Sequence, residues 1–238
     1  MTTNAGSGRA GGRSLKQRVK TGRNRTLSQT RWLERQLNDP FVAKAKQEGF
    51  RSRAAFKIQE INQKFGIFRP GGRVVDLGAA PGGWSQIASR AVGSDHGKGC
   101  VVAIDLLPID PISGVEFAVL DFLDPEALDV VKNMLGGEAD VVLSDMAANA
   151  TGHKKTDHLK IMGIAELAAE FSLDVLAKDG AFVAKVLQGG TEGALLADLK
   201  KSFSSVKHFK PRASRAESAE LYVVATGFRG KVREGDDL

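Results

Sequence analysis

The fold is decided by the stretch Val74–Ser85, which reads VVDLGAAPGGWS. Two β-branched residues and an acid lead into a glycine-rich turn, and helix-forming residues follow from Ser85 to Ala91. This order predicts a strand, a tight loop and a helix, which together form the usual entrance to a nucleotide-like cofactor site. Glycines let the backbone approach a ligand without a Cβ in the way, and Pro81 fixes the shape of the loop.

The glycine spacing narrows the class of cofactor. It reads Gly78-x-x-x-Gly82-Gly83, which is not the G-x-G-x-x-G of dinucleotide-binding proteins, and no Gly-Lys-Ser/Thr of a phosphate-binding loop follows. An adenosine-type cofactor without a diphosphate, such as S-adenosylmethionine, fits this spacing better. A glycine-rich turn in a generic α/β protein remains the alternative at this point.

Length and composition exclude several classes of protein. The 238 residues, 42% of them hydrophobic, suffice for one α/β domain with an appendage. The sequence offers no apolar run near the roughly 20 residues of a spanning helix and no secretory signal. The single cysteine excludes an internal disulfide, and the four histidines lack metal-ligand spacing. We therefore expect a cytoplasmic protein without a membrane partner or a structural metal, and we expect it to be a monomer.

The positive charge is concentrated near the N-terminus. Residues 1–57 hold 14 basic and 3 acidic residues, whereas residues 58–238 hold 20 basic and 25 acidic residues. Residues 1–29 have almost no large apolar side chains, so we predict a disordered basic arm that binds a polyanion. A solubilising tail is the alternative for this arm.

The remainder, residues 30–238, is predicted to be a single domain that begins with helices over residues 30–69. Thr30 and Ser52 are the predicted caps of the first and third helices, Asp39-Pro40 is the predicted start of the second helix, and Gly66 is the predicted end of the third. From residue 70 to 229 strands alternate with helices, which predicts an α/β fold with a doubly wound, mostly parallel sheet. Two final strands follow each other without a helix, which predicts an antiparallel strand near the C-terminus. The predicted strands are Arg73–Leu77, Val101–Asp105, Phe117–Leu120, Val141–Ser144, Ala181–Leu187, Ser205–Phe209 and Leu221–Thr226. A long helix between the fourth and fifth of these strands is predicted to end at Ala177.

Acidic residues stand at the ends of successive predicted strands, where doubly wound sheets bind ligands. Asp105 follows the second strand and is suited to accept hydrogen bonds from the two hydroxyls of an adenosine ribose. Asp121 follows the third strand and is placed to accept from the adenine amino group. Asp76 and Asp145 occupy the corresponding positions of the first and fourth strands. Asp is common in turns, but four such positions together favour a binding site.

Lys185 interrupts the apolar run Ala181–Leu187, the kind of run that forms a strand buried on both faces. A lysine there is unfavourable unless it faces a cleft and a carboxylate, and Asp145 on the neighbouring strand is the natural partner. A lysine that snorkels at a sheet edge is the alternative.

Six segments of the chain, in the same order and spacing, resemble the FtsJ-type ribosomal RNA methyltransferases. Within that family they are similar to the bacterial enzymes that methylate a uridine 2′-oxygen in 23S rRNA. The resemblance covers about residues 30–229. The segments are Ser52–Lys57, Asp76–Gln86, Asp105–Pro108, Leu143–Met146, Lys185–Val186 and Glu220–Ala225.

The resemblance implies a seven-stranded Rossmann-like fold, S-adenosylmethionine as cofactor, and 23S rRNA in the large ribosomal subunit as partner. It implies a catalytic tetrad in which Lys185 is the proton acceptor, completed by Lys57, Asp145 and Glu220. It also implies cofactor contacts from Gly82, Trp84, Asp105, Asp121 and Asp145. From the sequence alone, Lys57 reads as a solvated helix residue and Glu220 as an exposed acid on a strand.

One departure concerns the loop after Asp145, where Ala148 stands in place of the family's usual proline. The loss of a proline loosens a loop that contacts cofactor or RNA. Two rival functions remain: a 2′-O-methyltransferase of another RNA, such as tRNA or a capped message, and a non-catalytic ribosome-assembly factor. A nicotinamide-dependent dehydrogenase is disfavoured by the glycine spacing and the basic arm.

Overall fold

The computed structural model describes residues 27–148, 151–189 and 192–230, so most of the predicted basic arm lies outside the described residues. None of the described helices combines the length and the apolar character needed to span a membrane. The α-helices of these ranges are α1 Leu27–Leu37, α2 Pro40–Gln47, α3 Ala54–Phe65, α4 Gly83–Val92, α5 Ala127–Leu135, α6 Lys154–Val175 and α7 Glu192–Ser202. The strands are β1 Arg73–Leu77, β2 Cys100–Asp105, β3 Val115–Val119, β4 Ala139–Ser144, β5 Leu176–Leu187, β6 Phe203–Phe209 and β7 Glu220–Phe228.

The strands form one seven-stranded sheet in the order β3-β2-β1-β4-β5-β7-β6. The pairs from β3 to β5 are parallel, while β7 runs antiparallel to both β5 and β6. The predicted doubly wound, mostly parallel sheet with an antiparallel strand near the C-terminus is confirmed. Strand order reverses between β1 and β4, so a crevice opens beyond the carboxyl ends of these two strands, where such sheets bind ligands.

The core lies on both faces of the sheet because successive side chains of each strand point to opposite sides. On one face Val75 and Val142 pack with buried residues of α5 and α6. On the other face Val74 and Val141 pack with buried residues of α3 and α4. Burial of each such side chain contributes roughly 1.5–3 kcal/mol, which explains why the central strands are apolar throughout.

Two of the predicted helix caps differ from the structure. Helix α1 begins at Leu27, so Thr30 lies inside the helix instead of capping it. Arg53 occupies the N-cap position of α3 without a side-chain capping bond, and Ser52 is not the cap. The start of α2 is as predicted: Pro40 is its first residue, and Asp39 caps it by accepting a hydrogen bond from the Phe41 amide at 3.0 Å.

The boundary between α6 and β5 also differs from the prediction, which continued the helix to Ala177. Helix α6 ends at Val175, because Leu176 is extended and pairs with Ala139 of β4. Strand β5 therefore starts five residues before the predicted start at Ala181 and includes Asp179, whose φ is +67°. Lys185 remains near the carboxyl end of this strand, on the side of the crevice.

Candidate active site

A cavity of about 630 Å³ opens beyond the carboxyl ends of the first four strands. This volume lies within the roughly 300–1,000 Å³ of small-molecule sites. The cavity lies at this position because the loops after β1, β2, β3 and β4 all leave the sheet at the same edge. The residues that line it include Gly78, Ile104, Asp105, Leu120, Asp121 and Asp145.

Asp105 connects two of these loops by hydrogen bonds. Its Oδ2 accepts a hydrogen bond from the Ala80 amide at 2.8 Å, and its Oδ1 accepts from the Leu107 amide at 2.8 Å. Each carboxylate oxygen has a second lone pair, so the group still offers acceptors to hydroxyls in the cavity. Asp121 accepts from the Leu123 amide at 3.0 Å and is otherwise exposed at the rim.

The glycines of the loop after β1 have two different roles. Gly78 has a φ of +72°, and a Cβ at this position would lie 2.1 Å from Met146 Cγ, so only glycine lets this loop approach the loop after β4. Gly82, with a φ of +98°, lines neither this cavity nor the smaller one beside it; a Cβ there would lie 2.6 Å from Ile112 Cδ1. Gly82 lies between Pro81 and Gly83, which both line the smaller cavity, and its positive φ permits the turn into α4.

A smaller cavity of about 40 Å³ adjoins the larger one, and the two share Gly78, Ala80 and Asp145 as a common wall. Trp84 forms one side of it; its indole nitrogen donates to the Ala54 carbonyl at 2.9 Å. On another side the buried Ser52 hydroxyl has no hydrogen-bond partner among the described residues.

Lys185 and Asp145 meet at this wall. Lys185 Nζ lies 2.9 Å from Asp145 Oδ1 and donates to the Asp145 carbonyl oxygen at 2.6 Å. Its other contact among the described residues is to the Met146 carbonyl, at a long 3.5 Å. The two contacts with Asp145 occupy two of the three substituent positions of Nζ, and the third meets the Met146 carbonyl only at 3.5 Å, so this third position is available to an incoming group.

Lys57 and Glu220 join the same cluster from α3 and β7. Lys57 Nζ lies 2.8 Å from Glu220 Oε1 and 3.9 Å from Asp145 Oδ2. Tyr222 stands between them: its hydroxyl accepts from Lys57 Nζ at 3.0 Å and donates to Asp145 Oδ1 at 2.7 Å. The structure therefore brings all four residues of the predicted tetrad into one hydrogen-bonded cluster.

The electrostatics of the cluster favour an ionised Asp145 and a neutral Tyr222. Burial alone would raise the pKa of Asp145, but Lys185, Lys57 and the Tyr222 hydroxyl outweigh burial and lower that pKa below its usual value. The pKa of Tyr222 is raised well above its usual value by burial and by the negative charges of Asp145 and Glu220. Tyr222 therefore remains a hydrogen-bond donor to Asp145 at physiological pH.

Asp76 is a second buried carboxyl beneath the cavity. Its side chain is 1% exposed, and its Oδ2 accepts a hydrogen bond from Ser85 Oγ at 2.5 Å. Burial raises the pKa of Asp76 to about 7; the Ser85 hydrogen bond opposes this shift, and the nearby Asp145 adds to it. This carboxyl therefore titrates near neutral pH, unlike Asp145.

Comparison with known families decides the class of protein. A family model described as FtsJ-like methyltransferase matches residues 50–228, which include both cavities and the whole cluster. The chain belongs to the FtsJ-like methyltransferase family.

Relatives of this FtsJ-like methyltransferase agree with that assignment. A Xanthobacter autotrophicus protein named ribosomal RNA large subunit methyltransferase E is 63% identical over 92% of this chain and 87% of its own length. A Cereibacter sphaeroides protein of the same name is 56% identical over 100% of this chain and 99% of its own. A solved structure, that of a ribosomal RNA methyltransferase from Plasmodium falciparum, is 27% identical with a TM-score of 0.68 and covers 76% of this chain and 100% of that chain.

Three residues of this methyltransferase site are hard to identify from sequence. Lys57 reads as solvated but is 7% exposed, because α3 packs one face against the sheet. Glu220 reads as exposed, but its side chain is only 16% accessible. No motif in the sequence marks Tyr222, although the alternation of a strand places it on the same face as Glu220, two residues away.

Proposed function

We propose that this protein transfers a methyl group from S-adenosylmethionine to the 2′-oxygen of a uridine ribose in 23S rRNA of the assembled large ribosomal subunit. One observation carries the proposal: Asp145, in the wall of a cofactor-sized cavity, holds Lys185 with one position on its nitrogen left for a hydroxyl. Family membership and the names of the relatives described above support methyl transfer to large-subunit rRNA. We also propose that residues 30–238 form a single domain, with helices over 30–69 and the cofactor-binding core over 70–229.

The residues of the larger cavity fit an adenosine-type cofactor. Asp105 retains lone pairs for the ribose hydroxyls, and Asp121 lies at the rim as an acceptor for the adenine amino group. Gly78 keeps the floor free of a side chain, and Asp145 lies where this cavity joins the smaller one. Trp84 borders the smaller cavity, on the side of the methionine moiety. When bound, S-adenosylmethionine would supply a methyl group on a positively charged sulfur. A hydroxyl oxygen can attack this methyl carbon in line with the departing sulfur.

The tetrad positions the ribose hydroxyl for this displacement. In its amine form, Lys185 Nζ donates its two hydrogens to Asp145, and its lone pair accepts the proton of the 2′-hydroxyl as the oxygen–carbon bond forms, which gives an ammonium group paired with the Asp145 carboxylate. Asp145 fixes Lys185 in place through two contacts, one from its carboxylate and one from its carbonyl oxygen. Lys57, held by Glu220 and Tyr222, fixes the ribose from the other side. Because oxygen and methyl carbon must approach to roughly 3 Å in line, this positioning accounts for much of the rate.

The positive N-terminal part of the chain suits a polyanionic substrate. Residues 1–57 carry 14 basic against 3 acidic residues, and we propose that they bind RNA phosphates near the site. A chain lacking residues 1–26 should bind large-subunit rRNA more weakly and with a shallower dependence on salt. An unchanged salt dependence would show that residues 1–26 do not contact RNA phosphates.

Transfer of labelled methyl groups tests the substrate. Purified protein is incubated with labelled S-adenosylmethionine and undermethylated large subunits, with protein-free 23S rRNA and tRNA in parallel. We expect label in the large subunit, mapped to a uridine 2′-oxygen. Label in tRNA alone would show a methyltransferase of another RNA. Cofactor binding without transfer to any RNA would favour a ribosome-assembly factor.

Substitution of Lys185 tests the mechanism. Lys185→Ala should reduce turnover at least a thousandfold, on the order of the loss expected for a proton acceptor, while cofactor affinity changes little. The matched control is Lys178→Ala, which removes an exposed lysine from the opposite end of the same strand. Near-normal turnover in Lys185→Ala would show that another group accepts the proton.

A further inference from the structure

The loop between β2 and β3, residues 106–114, forms one side of the larger cavity and contains neither helix nor strand. Leu106 and Leu107, at its start, line the cavity. Both ends of the loop are held: the Leu107 amide donates to Asp105 Oδ1 at 2.8 Å, and the Ser113 carbonyl accepts from a serine hydroxyl of α4 at 2.7 Å. The middle contains two prolines, which have no amide hydrogen to donate, so it depends on bonds to its carbonyls.

Arg51 supplies those bonds from the connection between α2 and α3. Its Nη1 donates to the Asp110 carbonyl at 2.7 Å, and its Nη2 donates to the Pro111 carbonyl at 2.6 Å. Nη1 also donates to the Pro81 carbonyl, in the loop after β1, at a longer 3.4 Å. Among the described residues, Arg51 is the source of the hydrogen bonds that reach residues 108–111 from outside this loop. One guanidinium group therefore joins the loops after β1 and β2.

The main chain of Arg51 is itself fixed by Gln86 of α4. Gln86 Oε1 accepts from the Arg51 amide at 3.2 Å, and Gln86 Nε2 donates to the Gly49 carbonyl at 2.9 Å. Packing adds to this, because a Cβ on Gly82 would lie 3.1 Å from Arg51 Cδ. The guanidinium is thus presented to the two loops by a segment that is already held in place, which lowers the entropy lost in forming its bonds.

Arg51 stands behind the two cavities and lines neither of them. The loops that it joins do line them: Pro81 borders the smaller cavity, and Leu106 and Leu107 border the larger one. A cofactor that fills both cavities needs the two loops in one relative arrangement. Arg51 can therefore influence cofactor binding without contacting the cofactor.

We propose that Arg51 is a positioning residue for the cofactor, whose guanidinium holds the loops after β1 and β2 in the arrangement that binds S-adenosylmethionine. The proposal deepens the function proposed above and rests on it. Without the guanidinium, the loops would adopt several arrangements, and the cofactor would bind only one of them. The apparent Kd rises as the inverse of the competent fraction, so a competent fraction of about one-tenth gives roughly a tenfold loss of affinity.

The test combines calorimetric titration of cofactor with steady-state kinetics on undermethylated large subunits, using the full chain. In Arg51→Ala, the Kd and the KM for S-adenosylmethionine should rise roughly tenfold, while kcat and the KM for subunits stay near wild type. The Kd for S-adenosylhomocysteine should rise by the same factor, because Arg51 acts on the loops and not on the methyl group. The matched control is Arg90→Ala, which removes an exposed arginine of α4 that packs 5.5 Å from the Phe50 ring and bonds to neither loop.

A lysine variant separates the fork of donors from the charge. Arg51→Lys keeps the positive charge but replaces two donating nitrogens by one, so it cannot reproduce the fixed fork that meets two consecutive carbonyls. We expect it to recover cofactor affinity only in part. Wild-type affinity in Arg51→Lys would overturn the proposed role of the fork.

Hydrogen exchange distinguishes positioning from a general loss of stability. In Arg51→Ala without cofactor, the amides of residues 106–114 should exchange faster than in wild type, and saturating cofactor should restore their protection. The carbonyls bound by Arg51 lie at an exposed site where water can replace the guanidinium, so the melting temperature should stay near that of wild type. A merely structural role would lower the melting temperature and leave the KM for cofactor unchanged.

Two further outcomes would contradict the proposal. Equal cofactor affinity in Arg51→Ala and Arg90→Ala would show that the loops do not need the guanidinium. A higher KM for subunits with unchanged cofactor affinity would show that Arg51 contacts the substrate instead. If wild type binds cofactor but transfers no methyl group to any RNA, the proposed function fails, and the binding and exchange measurements still decide the role of Arg51.

Discussion

Removal of the Tyr222 hydroxyl is the sharpest test of how the site is held together. Tyr222→Phe deletes one oxygen atom from a fully buried side chain and leaves the ring, which packs 5.5 Å from the Trp84 ring. It removes the bond donated to Asp145 at 2.7 Å and the bond accepted from Lys57 at 3.0 Å.

The expected loss of stability follows from these two bonds. Each hydrogen bond to a charged partner contributes roughly 1.5–3 kcal/mol when the partner is left buried. The full sum is not reached, because Asp145 keeps Lys185 at 2.9 Å and Lys57 keeps Glu220 at 2.8 Å. We therefore expect the free energy of unfolding to fall by about 2–3 kcal/mol. In a chain of this length that corresponds to a melting temperature lower by about 5–10 °C.

The same substitution should change the response to acid. The Tyr222 hydrogen bond is one of the interactions that lower the pKa of Asp145, so its loss should raise that pKa toward the ordinary value. A carboxyl with a lowered pKa in the folded state stabilises the protein above its unfolded pKa, and this stability disappears as pH falls through the folded pKa. Acid unfolding of Tyr222→Phe should therefore begin at a higher pH than that of wild type.

Denaturant unfolding followed by circular dichroism across a series of acidic pH values measures both effects. The matched control is Ser172→Ala, which deletes a buried hydroxyl that donates to the neutral Ala169 carbonyl at 2.7 Å in α6. It should lose only about 1 kcal/mol and keep the wild-type response to acid. If Tyr222→Phe matched wild type in both stability and acid response, Tyr222 would not organise the charges of the cluster.

Further predictions concern the cavity floor and the buried acids. Gly78→Ala should abolish cofactor binding, because the added Cβ displaces Met146. Its control is Gly136→Ala, where φ is a similar +63° and no atom lies within 4 Å of the added Cβ, so the free energy of unfolding should fall by only about 1–2 kcal/mol. Equal affinity for cofactor in the two variants would refute the steric argument. Burial raises the pKa of Asp76 from 3.8 to about 7, so this residue stabilises the fold fully below pH 3.8 and progressively less as pH rises to about 7. Asp76→Asn should therefore gain about 4 kcal/mol relative to wild type over that interval in denaturant titrations, and parallel pH curves would contradict this. Tyr222 is the single tyrosine of the chain, so ultraviolet absorbance should detect tyrosinate only when the protein unfolds in alkali; tyrosinate in a chain with native circular dichroism would show that the pKa is not raised.

The sequence alone determined the features that depend on local order. The glycine spacing after β1, the acids at strand ends and the two consecutive final strands predicted the sheet and the position of the cofactor site. Asp105 and Lys185 could be singled out because each interrupts or ends an apolar run, and alternation with helices places such ends at one edge of the sheet. Helix boundaries depend on more than local order: tertiary pairing of Leu176 with Ala139 ended α6 two residues before the prediction.

Only the tertiary structure decided which distant side chains meet. Lys57 and Tyr222 are 165 residues apart in the chain, and Arg53 is 160 residues from Ala213, yet both pairs are hydrogen-bonded. These pairs form because β7 lies antiparallel between β5 and β6, so its first residues reach the carboxyl end of β5 and the connection before it packs on α3. Residue type and spacing describe one segment at a time. The burial that makes Lys57 part of a charged cluster arises from the packing of separate segments.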